Sequence, residues 1–193
     1  MTVRMVAADR RAQLLDVALS TFGTDGYHTT SMNAVAKAAG VTKPVLYQHF
    51  ESKEELFLEL LRSITKRISE AVTAAATSTD DPHQQVVDGT KAYFKFFAEE
   101  PPAFTVMYGD GVRAVPKFAD ERRAMELTLA TNLAALIHIE GISDDERMAM
   151  AHGILGLNEG ITRYWFEVDG SQTHEVIATM SAELAWAGLR GGR

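Results

Sequence analysis

The 193-residue sequence contains no cysteine. That excludes a disulfide framework, thiolate metal sites and a cysteine nucleophile, and it fits a reducing cytosol. No stretch reaches the roughly eighteen uninterrupted apolar residues of a membrane span. The start, Met1-Thr2-Val3-Arg4, lacks the apolar core of a secretory leader. Neither a signal peptide nor a membrane partner is expected, and the expected compartment is the cytoplasm. β-type alternation of useful length is missing, which argues against a sheet. So are the common catalytic signatures: there is no Gly-rich phosphate loop, no His-x-x-x-His pair and no Gly-x-Ser-x-Gly elbow. Gly109-Asp110-Gly111 reads as a turn only. His152 and Glu159, seven apart, do not make a metal site by themselves. An enzyme is therefore a remote alternative, as is an interaction protein without DNA binding, and neither cofactor nor metal is expected.

What remains is ordinary globular material, 46% hydrophobic and 23% charged, long enough to bury a core. Its net charge of −7 is unevenly spread. Residues 1–53 hold six Lys/Arg against four Asp/Glu, giving +2, and the rest hold 13 against 22, giving −9. Phosphate contact is local, so a basic module on an acidic body is compatible with nucleic-acid binding.

Helical periodicity recurs along nearly the whole chain. Residues 9–22 set Leu15, Ala18, Leu19 and Phe22 on one face, with Gly23 as the expected stop. Thr30-Ser31 offers an N-cap for a short helix through Ala38, ended by Gly40. A second short helix is expected from Thr42 to Phe50, with Pro44 tolerated in its first turn. Ser52-Lys53-Glu54-Glu55 is a capping box opening a long helix with Phe57, Leu60, Leu61, Ile64, Ile68, Val72 and Ala75 on one stripe. Further helices are expected at 82–99, 101–109, 116–139, 144–168 and 172–190, with Gly170 at one break and Ser143 to Glu146 as a second capping box. The predicted fold is all-α, about nine helices. Its expected domains are residues 1–53, beginning with a flexible tail at 1–8, and residues 54–193.

Two short helices joined by a glycine turn and followed by a long helix describe a helix-turn-helix. Val35, Ala36 and Ala39 give a small apolar face, while Val41, Val45 and Leu46 dock the second helix. Thr42, Lys43, Tyr47, Gln48 and His49 are left pointing outward, the side chains a major-groove reader needs. Lys43 can reach guanine edges and Gln48 adenine edges. Thr30, Tyr47, His49 and Lys53 suit phosphates, which fix register without reading sequence. Ser31 and Pro44 complete the candidate DNA-contacting set.

The run from Gly26 to Leu56, above all Ala39-Gly40-Val41, Leu46-Tyr47, His49-Phe50 and Lys53, closely resembles the DNA-binding domain of TetR-family transcriptional repressors. Asn33 departs from it, standing where an acidic residue more commonly completes the cap. The resemblance implies a homodimer on a palindromic operator, with a C-terminal ligand-binding and dimerisation domain whose small-molecule effector releases the DNA. Repressor is the implied sense; an activator or a ligand-independent regulator of the same fold is the alternative.

The helix at 144–168 is non-polar on nearly every side, the mark of a buried helix. Gly153, Gly156, Gly160 and Tyr164 share one face, and each interior glycine costs on the order of 1 kcal/mol relative to alanine. Close backbone approach in a four-helix dimer interface is the expected return, with Leu157 from the same helix and Ile177, Met180 and Leu184 from the last one. Another face, His152, Leu155, Glu159, Thr162 and Phe166, is the expected wall of a ligand pocket. Phe97, Phe104, Met107, Tyr108, Met125 and Leu129 are expected opposite it, an apolar and adaptable lining.

Overall fold

The computed structural model describes residues 7–109, 116–168 and 172–191. Among them are nine α-helices, one 3-10 turn and no strand. The helices are α1 (Ala7–Thr29), α2 (Met32–Ala38), α3 (Lys43–Tyr47), α4 (Lys53–Ala76), α5 (Pro82–Glu99), α6 (Pro101–Tyr108), α7 (Ala119–Ala134), α8 (Asp144–Glu167) and α9 (His174–Gly191). The expected tail up to Val6 and the breaks at Asp110-Gly111 and Gly170 lie outside the described residues. No described helix is long and apolar enough to cross a membrane.

The chain forms two compact units, one of residues up to Ile64 together with 100–123, the other of 65–99 with 124 onward. The first unit thus extends beyond the domain end expected at residue 53 and takes in α6. Its core joins Leu14, Ala18 and Phe22 of α1 to Leu56, Phe57, Leu60 and Leu61 of α4. Aromatic rings lock this core: Phe57 lies 5.1 Å from Phe22, 4.8 Å from Tyr27 and 5.1 Å from Phe118.

Gly23 does not stop α1, as the sequence suggests. It lets α6 approach: a Cβ there would stand 2.3 Å from the Pro102 Cβ. The helical path instead breaks at Gly26, whose φ of 78° is open to glycine and strained for other residues. Two other helices end early. α3 closes at Tyr47, three residues before Phe50, and α7 closes at Ala134, leaving Ala135–Ile142 as an irregular apolar connection.

In the second unit α9 packs along α5. Tyr93, Phe94, Phe96 and Phe97 of α5 are all buried. A further core gathers Ala130, Ala134, Ile137 and Ala151, with Leu133, Ile139, Met148 and Ile154 against it. α8 keeps both halves of its capping box: the Glu146 N–H donates to Ser143 Oγ at 3.2 Å, and the Ser143 N–H donates to the Glu146 carboxylate at 2.8 Å.

Candidate DNA interface and ligand cavity

In the first unit the short helices are held from below. Ser31 caps α2, its Oγ accepting the Ala34 N–H at 3.1 Å. Gly40, at φ 65°, makes the turn into α3. Val35, Ala36 and Leu46 are buried beneath the two helices. Pro44 sits in the first turn of α3, where no intrahelical N–H bond is lost. One face of α3 is thereby free: Thr42, Lys43, Pro44, Tyr47 and Gln48 are exposed and His49 is half-buried. The Lys43 ammonium lies 5.7 Å from the centre of the Tyr47 ring, which leaves it at the surface beside a second hydrogen-bonding group.

Two cations brace the head from behind. Arg11 of α1 forms a two-pronged ion pair with Glu59 of α4, and its guanidinium stacks 4.5 Å from the Phe50 ring. Its pKa is raised, chiefly by the hydrogen bond to Glu59. Lys53 Nζ donates to the carbonyls of Tyr27 and Thr30, both at 2.9 Å, and sits 4.4 Å from the Tyr27 ring. These bonds satisfy backbone carbonyls where the chain leaves α1 and enters α2.

The second unit contains a cavity of about 530 Å³. Ile68 and Val72 of α4, Thr90 and Tyr93 of α5, Leu129 and Leu133 of α7, and Ile154, Leu155 and Asn158 of α8 line it. The apolar connection after α7 contributes Leu136 to Glu140, and Trp186, Leu189 and Arg190 come from α9. The volume and the mainly hydrocarbon lining suit a small organic molecule. No cluster of three metal-ligating side chains occurs among the described residues.

Residues 14–60 match the family described as bacterial regulatory proteins, tetR family. The transcriptional activator FasR of Mycolicibacterium smegmatis is 28% identical over 187 residues, covering 96% of this chain and 85% of that protein. A TetR-like transcriptional regulator from Rhodococcus sp. RHA1 superposes with a TM-score of 0.78 at 26% identity, over 97% of this chain and all of that one. The family match covers residues 14–60, and these proteins similar to nearly the whole chain are named transcriptional regulators. FadR from Bacillus subtilis, solved in complex with stearoyl-CoA, shares the fold at a TM-score of 0.80 and 16% identity, over 92% of this chain and 98% of that one.

The residues singled out from sequence fall unevenly. On the head, Thr30 departs from its expected place: it is 2% exposed, and its hydroxyl turns inward to the Thr21 carbonyl at 3.5 Å. Lys53, expected on phosphate, has its ammonium engaged by the two carbonyls. In the cavity only Leu129 and Leu155 of the expected lining appear. Phe97 and Met125 are buried in the second unit, away from that lining, whereas Phe104, Met107 and Tyr108 are core of the first unit. His152 and Phe166 are exposed, and Glu159 pairs with Arg163 at 2.9 Å. Thr162 is fully buried and donates to the Asn158 carbonyl at 2.7 Å.

The reason for the cavity mismatch is rotational. α8 turns Ile154, Leu155 and Asn158 toward the cavity, so of the stripe beginning at His152 only Leu155 reaches it. The glycine face, Gly153, Gly156 and Gly160, is exposed, with open space where each Cβ would stand. Tyr164, Met180 and Leu184 are also exposed, Tyr164 to 61%, and Leu157 is half-buried. Ile177 is buried inside the unit. Thr90 and Asn158 were missed because an isolated polar residue on an apolar helix carries no period; Gly89, buried inside α5, was the available signal of a wall kept thin.

Proposed function

We propose that this protein binds a near-palindromic operator as a homodimer through α3 and releases it when a small, largely apolar molecule occupies the cavity. The observation that carries the reading is the free face of α3, held outward by buried Leu46 and the capped α2. Lys43 and Gln48 are the base-reading side chains. Tyr47, His49 and Ser31 serve the phosphates, with Thr42 and Pro44 shaping the helix start. Two such helices in a dimer read successive major grooves about 34–36 Å apart.

The dimer is supported by the glycine face of α8 and the exposed apolar side chains of α8 and α9. An uncovered surface of this kind marks an interaction site, and glycines let backbones meet closely. Ligand release is supported by the cavity and, at the level of fold, by FadR carrying stearoyl-CoA. A ligand releases DNA only if it binds the DNA-incompetent state better, which requires the cavity to differ between the two states.

Repression follows from occupying a promoter. Activation is the second reading, favoured by one observation: the relative matched over nearly the whole chain is named an activator. Gel shifts with fragments upstream of the protein's own gene test DNA binding. Failure to retain any of them specifically overturns the reading, and a reporter with and without the protein separates the two senses.

A further inference from the structure

We infer that the cavity selects an uncharged, mainly hydrocarbon ligand bearing a neutral oxygen function, and keeps carboxylates and ammonium groups out of its interior. This rests on the reading of the cavity as the effector site. Apart from the Tyr93 phenol, neutral at physiological pH, its ionisable lining residues are His138, Glu140 and Arg190, and all three are exposed. The buried lining residues, among them Ile68, Thr90, Leu129 and Asn158, carry no charge. An ionised group drawn in would lose its hydration and meet no opposite charge, so it would either neutralise or stay at the exposed edge.

Besides the buried Tyr93 phenol, two buried polar groups say what the interior accepts instead. Three helical threonines, Thr21, Thr128 and Thr179, each donate the hydroxyl to the carbonyl four residues back at 2.8 Å. Thr90, 5% exposed, makes no such bond, and its hydroxyl has no hydrogen-bond partner among the described residues. Asn158, also 5% exposed, uses one half of its amide on the Ser181 hydroxyl at 2.7 Å, and the other half has no partner among the described residues. Both residues line the cavity. A buried hydroxyl and half an amide, each with bonding capacity in hand, match an alcohol, ester, thioester or amide oxygen. A charged group elsewhere on the same ligand would remain outside, near Arg190 and Glu140.

The test uses the full-length protein at pH 8 and four probes of equal chain length below their micelle concentrations: 1-dodecanol, methyl dodecanoate, dodecanoate and dodecylammonium. Affinity is read by titration calorimetry. The alcohol and the ester are expected to bind at least tenfold more tightly than either ion. Thr90→Val, which keeps the shape and removes the hydroxyl, should weaken the alcohol by about three- to tenfold. Ions that bind as well as the alcohol, or an alcohol affinity untouched by Thr90→Val, would overturn the inference while leaving the cavity as the ligand site. Binding by none of the four, or alcohol binding undiminished in a folded Leu133→Trp protein whose cavity is filled, would overturn the cavity reading itself. Should Thr90→Val fail to fold, the comparison of the four probes on the unaltered protein still decides.

Discussion

The two units of this chain handle their polar groups in opposite ways. In the first, cations and carbonyls find one another: Lys53 takes two backbone carbonyls, Arg11 takes Glu59, and interlocked rings fill the space between α1 and α4. In the second, a cavity stands open, buried Thr90 and Asn158 retain bonding capacity, and a glycine face is exposed among the described residues. The contrast separates two requirements. A reading helix must be held in one register, since a small displacement loses the base edge. A unit with the proposed sensing role must leave something unmade for a ligand to complete.

The contrast can be broken most severely at Gly23. Gly23→Val puts a side chain into the Pro102 backbone and should destabilise the first unit by about 3 kcal/mol, the upper end for overpacking. Its melting transition should fall and operator binding should be lost, while ligand binding in the second unit persists. Next comes Lys53→Met, which strips two charge-assisted bonds worth about 2 kcal/mol in all. Affinity for every DNA sequence should drop about tenfold with the salt slope unchanged. A slope shallower by about one would instead make Lys53 a phosphate contact. Lys43→Ala should cost about 1 kcal/mol and relax preference at one base pair of each half-site, as competition between operator variants would register.

The smallest effect belongs to the second unit. The Glu146 carboxylate is held below the usual glutamate range, chiefly by the Ser143 backbone N–H and then by its hydroxyl. A depressed folded pKa means the cap contributes at neutral pH and is lost as pH falls through that lowered value. The melting-temperature gap between the protein and its Glu146→Gln variant should therefore narrow on acidification.

Much of this was legible in the sequence because local rules dominated. Ser31, Gly40, Pro44 and Ser143 act within one helical turn of themselves, and the structure places each cap or turn where those residues stand. The head also carried its motif in consecutive residues. The cavity was another matter. Its lining comes from five helices and the connection after α7, and which stripe of α8 turns inward depends on a rotation that neighbouring helices impose. An apolar helix with several plausible faces, such as α8, does not announce that choice. Gly23 misled for a related reason: a glycine that ends a helix and one that admits a neighbour's backbone look alike until Pro102 is in view.

The approach of Pro102 to Gly23 has a mechanical side as well. α6 begins at Pro101, so Pro102 lies in its first turn, and that turn rests on Gly23 of α1. Position 23 is thus a spacer within the first unit: the size of the residue there sets how closely α6 can lie on α1.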